Sequence, residues 1–577
     1  MVARMRAAAI TCSRPLIAAL AALGAGCGAP APPPAARHAD LVILDADLRT
    51  MEPARPVARA LAVDDGKIVA IGDDDAVRPY IGAGTRVIRA GGHTVLPGLI
   101  DSHIHAAEGA LARGGCTLGD DELTIKQAAP RIRACFENDK DSKWLIVTDV
   151  NPAGFKAHRV QLDAIDRERP MLLWGTDGHT GWVNSRALEL AKITRGTKDP
   201  ADGRIERDAQ GEPTGFLVDG AVGLVLGVME KPTPEKRLEK LRWVLPQLHA
   251  VGITSYLEAN TDAETVDAYV ELARRYELDA RVTIALETSG ADTDAEFTRL
   301  RGLRERVGTQ PLLRADFVKL FADGVMEHPT QTAALLTPYL DADGKPTAST
   351  GKRYLEPAAM TSFIEHADRN GFNVHVHAIG DAAVRETLDA FTAARAAGSK
   401  RLYSIAHLQL IDPADLPRFA ANDVIASFQL LWAQPDNYSI DAVQKYIGPE
   451  RHARQYPARS LADAKGVIAG GSDWDVSSFN PFEAIATAMS RRNPEHPERA
   501  PLGPDQALTL DEMLMAYTRN AARLIGRDAE IGTLAVGKAA DLVVLGTTFT
   551  QDTSAADVRK TKPVQVFFAG QELPKLP

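Results

Sequence analysis

Eight short apolar runs, separated along most of the chain by helical stretches, constrain the fold more than any other feature of this sequence. The runs have the composition of buried strands and lie at 94–104, 253–258, 280–286, 315–321, 372–377, 402–406, 424–428 and 467–471. Helical patterns at 263–276, 295–307, 358–370 and 382–396 follow four of them. Alternating strands and helices are typical of a parallel sheet, and eight repeats suffice to close a barrel. The predicted fold class is therefore α/β, with a (β/α)8 TIM barrel over 94–527.

Two features depart from this repeat. The first two runs are about 150 residues apart, which is too far for a simple crossover. We therefore predict an inserted subdomain at about 107–232 and the first barrel helix at 234–248. Short β runs also occur at 41–44, 61–63 and 67–71, and again at 541–545 and 564–568. Such β-rich ends around an α/β middle predict a small composite β-sandwich, built from 39–93 and 528–577.

The first 27 residues have the pattern of an export signal. Arg4, Arg6 and Arg14 precede an apolar run at 15–26, and Cys27 follows small residues. This ending is similar to a lipobox, in which the cysteine is lipidated, although Leu23 stands one position early. We predict an exported protein of the bacterial cell envelope, either a membrane-anchored lipoprotein or a periplasmic protein with a plain signal peptide. Residues 28–38 are a Pro/Ala-rich tether.

Charge and cysteine content limit the kinds of molecule that this chain is expected to bind and the compartment in which it is expected to fold. The formal net charge of −10 is spread along the chain and forms no basic footprint for nucleic acid. No apolar run beyond the N-terminal segment is long enough to span a bilayer. We expect a small-molecule substrate, no nucleic-acid partner and membrane contact only through a lipid on Cys27, and a homodimer stays open. Cys116 and Cys135 would form a disulfide in an oxidising compartment, or remain two free thiols.

Histidines end three of the predicted barrel strands. His103 and His105 close the first run, and alternate side chains of a strand point to the same side, so both imidazoles face the barrel mouth. His377 and His407 end the fifth and sixth runs. Each alone is more often an ordinary buried histidine, but their common position at strand ends predicts a divalent metal site, with zinc as the metal and one or two ions. His375 shares a face with His377 and is the weaker candidate.

Lys319 and Asp473 are two further candidate residues for this metal site. Lys319 lies inside the apolar run Phe317-Val-Lys-Leu-Phe321, where a charged amine is costly unless it is paired or chemically altered. A salt bridge is one explanation, and carbamylation by CO₂, which converts the amine to an anionic oxygen ligand, is the other. Asp473 follows Gly470-Gly-Ser472 at the end of the eighth run, where it is either a turn residue or a carboxylate that binds metal and transfers a proton.

Together these residues resemble the amidohydrolase superfamily, in the family 3 branch of metal-dependent hydrolases that are like N-substituted formamide deformylase. The resemblance covers nearly the whole mature chain. It is carried by Pro97-Gly-Leu-Ile-Asp-Ser-His-Ile-His105, Asp177-Gly-His-Thr-Gly-Trp-Val-Asn-Ser-Arg-Ala-Leu188, 318–324, 377–382, Gly471-Ser-Asp-Trp474 and Gly532-Thr-Leu-Ala-Val-Gly-Lys-Ala-Ala-Asp-Leu542.

The resemblance also implies a role for each site residue. His103 and His105 are first-strand metal ligands, and Lys319 is a bridging ligand if it is carbamylated. His377 and His407 bind a second metal, and Asp473 is both a ligand and the proton shuttle. From the insertion, three residues are expected to reach the substrate: His179, Trp182 and Asn184.

The implied activity is hydrolysis of non-peptide carbon–nitrogen bonds, of the amide, N-acyl or N-formyl type, by metal-activated water. Lactone or ester hydrolysis uses the same groups and stays open. Relatives that deaminate adenosine or cytosine carry a glutamate just beyond the fifth-strand histidine, whereas Ala378-Ile-Gly-Asp381 follows here. A non-catalytic envelope binding protein is disfavoured because every expected ligand position is filled.

Overall fold

The computed structural model describes residues 38–138, 142–152 and 154–575. The predicted signal segment at 1–27, with Cys27, and the tether up to residue 37 lie outside the described residues.

The central element is a sheet of eight parallel strands whose hydrogen-bonded order follows the chain order. The eight strands are Leu99–Ile104, Ile253–Thr261, Arg281–Glu287, Leu313–Phe321, Asn373–Ala378, Tyr403–His407, Val424–Phe428 and Val467–Gly470. The helices around them are Pro234–Ala250, Ala263–Arg274, Asp294–Val307, Pro357–Arg369, Asp381–Ala396, Leu416–Ala421, Gln444–His452, Ala458–Asp463, Pro481–Ser490, Leu510–Ala516 and Arg519–Leu524. The predicted (β/α)8 barrel is confirmed.

The helices bury one face against the sheet, as their sequence pattern requires. In the helix Asp294–Val307, the buried positions are Phe297, Leu300, Leu303 and Val307, which recur every three or four residues. Each such side chain contributes about 1.5–3 kcal/mol when it is removed from water. The same pattern in the other long helices gives one continuous hydrophobic layer between helices and strands.

The barrel closes between its first and last strands through one buried carboxylate. Asp101 Oδ1 accepts hydrogen bonds from the backbone N–H of His103 and of Ser472, each at 3.0 Å. The N–H of Asp473 then donates to the carbonyl of His103 at 2.8 Å. The ends of two strands that are far apart in the sequence are thereby held side by side.

The run predicted as one strand at 94–104 is two strands, which corrects the predicted sandwich boundary at residue 93. Thr94–Pro97 pairs with Leu542–Leu545 in the terminal sheet, and Leu99–Ile104 belongs to the barrel. Gly98 separates them at a close approach, because a Cβ there would lie 2.1 Å from the Thr254 hydroxyl oxygen. Any larger residue at this position would require the Thr254 side chain, or the strand that carries it, to move.

The two ends of the chain form two sheets with a shared core. One sheet has the order Lys67–Gly72, Ala60–Asp64, Leu41–Leu44, Arg86–Arg89, and the other has the order Gln571–Glu572, Pro563–Phe568, Leu542–Leu545, Thr94–Pro97, Asp47–Arg49, Val57–Ala58. Leu41, Leu61 and Phe567 pack together between them. A buried ion pair between Arg281 and Asp541, at 2.9 Å, joins this sandwich to the barrel.

The segment between the first and second barrel strands forms a separate sheet of six strands, in the order Gly203–Arg207, Pro213–Asp219, Thr180–Val183, Met171–Gly175, Leu145–Val150, Cys116–Thr117. The helices Ile125–Asn138, Arg159–Asp163, Ser185–Leu190 and Gly220–Leu226 accompany it. A disulfide joins Cys116 to Cys135, which selects one of the two states that the sequence left open. Among the described residues, no helix has the length and apolar character needed to cross a membrane.

We predict that Cys135→Ala lowers the free energy of unfolding of the insertion by roughly 3 kcal/mol, because the disulfide closes a loop of this size in the unfolded chain. Limited proteolysis at increasing urea concentration would measure the loss. Wild-type protein treated with reductant is the matched control and should lose the same amount. Equal resistance of the variant and the oxidised wild type would contradict the prediction.

Candidate metal centre

The carboxyl ends of five barrel strands bring the predicted ligands to one place. His103 lies in the first strand and His105 directly follows it, whereas Lys319 lies in the fourth strand. The remaining ligands are His377 in the fifth strand, His407 at the end of the sixth, and Asp473 three residues after the eighth. His407 and Asp473 both have a left-handed backbone, with φ of 76° and 53°. Such strain costs about 1–3 kcal/mol and is typical of functional sites.

Asp473 lies at the centre of this group. Its Oδ1 is 3.1 Å from His103 Nε2 and 3.2 Å from His105 Nε2. One donor atom from each of these three residues can be chosen so that all three lie within 4.8 Å of one another. Two imidazoles and a carboxylate at this spacing form a donor set that suits zinc and similar divalent ions.

A chain of hydrogen bonds orients His103. Its Nδ1 is 2.7 Å from His375 Nε2, and His375 Nδ1 is 2.7 Å from the Ser404 hydroxyl. Burial lowers the pKa of His103 to about 3, so its ring is neutral at pH 7. If His103 donates to His375 and His375 donates to Ser404, the lone pair of His103 Nε2 points towards Asp473. His375 therefore acts behind a ligand, which agrees with its weaker rank in the sequence.

His377 and His407 lie beside this group. The ring centres of His103 and His407 are 4.8 Å apart, and those of His407 and His377 are 4.4 Å apart. His377 Nε2 donates to the carbonyl of Gly324 at 3.0 Å, which leaves the lone pair on Nδ1. His407 Nδ1 is buried and has no hydrogen-bond partner among the described residues. An unpaired buried nitrogen beside two other imidazoles fits a group that binds a metal ion.

Lys319 extends into the same space. Its Nζ is 3.2 Å from His103 Nε2 and 4.8 Å from the ring centre of Phe321. Burial lowers the pKa of this amine to about 7, which gives a substantial neutral fraction at pH 7. The salt-bridge explanation lacks support, because Lys319 forms no ion pair with a carboxylate within 4.0 Å among the described residues.

Of the three insertion residues predicted to reach the substrate, His179 faces the metal centre. Its ring centre is 5.5 Å from that of His377, and its Nδ1 donates to Asp219 Oδ1 at 2.6 Å. Burial lowers the pKa of His179, but the hydrogen bond and the charge of Asp219 outweigh burial and raise it. Asp219 itself has a left-handed backbone, with φ of 53°. Nothing in the sequence signals this partner, forty residues further along the chain.

Trp182 and Asn184 do not line the cavity in front of the ligands, and we correct their predicted role as substrate-binding residues. Trp182 is 2% exposed and stacks on Phe216 at 4.9 Å inside the insertion. The side-chain oxygen of Asn184 accepts from the N–H of Ala187 and caps the helix that follows. Both residues stabilise the insertion that carries His179.

A cavity of about 630 Å³ lies in front of these ligands, between the strand-end loops and the insertion. Its wall includes His179, Trp432 and Tyr438, and also Glu327 and Asp436. Of these wall residues, the sequence motifs indicated only His179. They lie in irregular loops after the fourth and seventh strands, where no periodic pattern marks them.

The barrel has eight strands, and imidazole, amine and carboxylate groups lie together at their carboxyl ends. These two features define the class of barrel enzymes that are built around a divalent metal. The amidohydrolase family model matches residues 86–574. The chain therefore belongs to the amidohydrolase family, which confirms the family predicted from the motifs.

Known proteins resemble this chain over most of its length. It is 29% identical to the protein LONG AFTER FAR-RED 3 of Arabidopsis thaliana over 551 residues, which are 91% of each chain. It is 28% identical to the N-substituted formamide deformylase of Arthrobacter pascens over 526 residues, covering 88% of this chain and 93% of the relative. A metal-dependent hydrolase from Pyrococcus horikoshii shares the fold, with a TM-score of 0.70, 21% identity, and coverage of 89% of this chain and 99% of that one.

We predict that His375→Ala lowers the affinity for zinc about 10–100-fold, because His103 loses the hydrogen bond that fixes its ring. Competition with a chromogenic chelator would measure the dissociation constant. His496→Ala, which removes a partly exposed histidine, is the control and should leave the affinity unchanged. Wild-type affinity in the His375 variant would show that the hydrogen-bond chain does not orient the ligand.

Proposed function

We propose that this chain hydrolyses an amide-type carbon–nitrogen bond, other than a peptide bond, in a small N-acyl or N-formyl amine. The observation that carries the proposal is the position of Asp473 between His103 and His105 at the mouth of the barrel. The likeness to a relative named as an N-substituted formamide deformylase, over 88% of this chain, supports the same bond type.

The residues that would hold a divalent metal are His103, His105 and Asp473, with His377, His407 and Lys319 as the further donors of a second ion. When bound, such a metal polarises the scissile carbonyl and makes water more acidic. The donor set fits zinc, because burial keeps His103, His377 and His407 neutral and Asp473 is ionised. Whether one or two ions bind, the same carboxylate faces the reacting groups.

Asp473 is suited to move the proton. Burial raises its pKa, but the adjacent imidazoles of His103 and His105 outweigh burial and hold the pKa well below its usual value. The carboxylate can therefore accept a proton from water as the water oxygen attacks the carbonyl carbon. It returns that proton to the nitrogen as the carbon–nitrogen bond breaks, and the products are a carboxylic acid and an amine.

His179 positions the substrate from the opposite side of the cavity. Its Nδ1–H donates to Asp219, which fixes the ring and raises its pKa. The raised pKa favours the imidazolium form, whose Nε2–H can donate to the carbonyl oxygen of the substrate. The insertion that carries His179 also covers the barrel mouth and limits access of bulk water. The hydrolysis therefore depends on two separate parts of the chain.

We also propose that Lys319 is carbamylated. The amine is buried, lacks a carboxylate partner in the described part of the chain and has a lowered pKa, which are the conditions for reaction with CO₂. The resulting anion would offset the positive charge that metal ions bring to the site.

The predicted export to the cell envelope also remains our proposal. The disulfide between Cys116 and Cys135 supports it, because disulfides persist in oxidising compartments.

We predict that Asp473→Asn lowers kcat for an N-formyl amine substrate by a factor of about 10²–10⁴, since the proton shuttle is lost. Formate release at saturating zinc would measure the rate. Asp343→Asn, which changes an exposed carboxylate in a turn, is the control and should retain the wild-type rate. A kcat within twofold of wild type in the Asp473 variant would refute the proposed role.

Carbamylation can be tested independently of turnover. Protein loaded with zinc in ¹³C-bicarbonate should give a carbamate carbon resonance by NMR, and Lys319→Met should lack it. Lys236→Met, on the exposed face of a helix, controls for carbamates at surface amines. Identical spectra from the two variants would contradict a carbamate on Lys319.

A further inference from the structure

The substrate cavity is markedly acidic. Apart from Asp473, nine carboxylates line its wall, whereas the lysines and arginines there are Lys319 and Arg559 alone. Lys319 belongs to the metal centre, and Arg559 donates to the hydroxyl of Thr487. Because a cleft lined by charges of one sign attracts ions of the opposite sign, such a wall raises the local concentration of cations.

Four of these carboxylates lie on loops and on the insertion around the cavity: Asp120, Asp177, Glu327 and Asp436. Their hydrogen-bond donors are neutral. Tyr438 and Thr176 donate hydroxyl hydrogens to Asp120, and the amide of Gln409 donates to Glu327 at 3.3 Å. The N–H of Ser439 donates to Asp436 at 2.8 Å, and the N–H and hydroxyl of Thr180 donate to Asp177.

No lysine or arginine within the described part of the chain lies close enough to any of these four carboxylates to form an ion pair. By contrast, the buried carboxylate of Asp541 does have such a partner, Arg281. These four carboxylates are half-buried. Partial removal of a carboxylate from water without a counter-charge is costly, and a cationic ligand would offset that cost.

The pKa values of these four carboxylates agree with the absence of a lysine or arginine partner among the described residues. Burial raises the pKa of Glu327 to about 7 and that of Asp436 to about 6, and it also raises the pKa values of Asp120 and Asp177. The neighbouring negative charges raise them further: Asp177 acts on Glu327, and Asp120 acts on Asp436. A cation bound among them would keep these groups ionised.

The cavity also contains flat aromatic surfaces and an unpaired hydrogen-bond acceptor. Trp432 stacks parallel to His407, with ring centres 5.5 Å apart, and Phe321 lies beside Lys319. Both aromatic side chains line the cavity. The side-chain oxygen Oε1 of Gln434, another lining residue, is buried without a hydrogen-bond partner among the described residues. Aromatic faces and unpaired acceptors suit a planar group that carries N–H donors and positive charge.

We propose that the substrate is an N-acyl amine that bears a second, positively charged amino or amidino group, bound between Glu327, Asp436 and the face of Trp432. This inference rests on the proposed hydrolysis for the identity of the reacting bond. The cation site itself is defined by residues that lie outside the metal ligand set, so it can be tested by binding alone.

The test is calorimetric binding of benzamidinium and of benzamide to the full-length, zinc-loaded protein. The two probes have nearly the same shape and differ by one positive charge. We expect benzamidinium to bind at least tenfold more tightly than benzamide. Glu327→Gln should reduce this ratio to threefold or less, and Asp436→Asn should reduce it independently if the first variant fails to fold.

Glu235→Gln is the matched control, because it removes one exposed negative charge from an outer helix of the barrel. It should leave the ratio unchanged, which excludes an effect of the net charge of −10. A ratio near one in the wild type, or a ratio that Glu327→Gln and Asp436→Asn leave intact, would overturn the cation site.

The two proposals fail in different ways. If no N-acyl amine is hydrolysed but the binding ratio is as expected, the proposed reaction is wrong and the cation site remains. If a neutral N-acyl amine is hydrolysed and the binding ratio is near one, the reaction stands and the proposed substrate class is wrong.

Discussion

The structure depends first on the closure of the barrel by Asp101. This buried carboxylate accepts one backbone hydrogen bond from its own strand, at His103, and one from the eighth strand, at Ser472. The bond from the N–H of Asp473 to the carbonyl of His103 adds to this clamp. His103 and Asp473 are thereby held within hydrogen-bond distance although they lie at opposite ends of the barrel sequence. The metal binding and the proton transfer that we propose both require this contact.

Once the barrel is closed, burial determines the chemistry of the groups at its mouth. Burial keeps His103 and His407 neutral, and it lowers the pKa of Lys319 to about 7. Asp473 behaves in the opposite way, because the adjacent imidazoles favour its ionised form. Neutral nitrogen donors around one anionic oxygen are what a divalent cation requires, and the same oxygen is a base for water. In the function that we propose, one arrangement therefore serves both metal binding and catalysis.

The sequence predicted the parts of the molecule that follow from periodicity. The strands were located within a few residues, because buried parallel strands are apolar on both faces, and strand ends identified His103, His377 and His407. Orientation within the insertion was not predictable: His179 and Trp182 belong to one motif, but only the packing against Phe216 shows that Trp182 faces inward. The break at Gly98 depends on the proximity of Thr254, and the acidic wall depends on loops that meet only in the folded chain.

The most direct test of the account is a crystal structure of the zinc-loaded protein with anomalous diffraction data collected at the zinc absorption edge. The account predicts an anomalous peak bonded to the Nε2 atoms of His103 and His105, at about 2.0–2.1 Å, and to a carboxylate oxygen of Asp473. A strong peak at any other group of side chains, with these three residues unliganded, would contradict it.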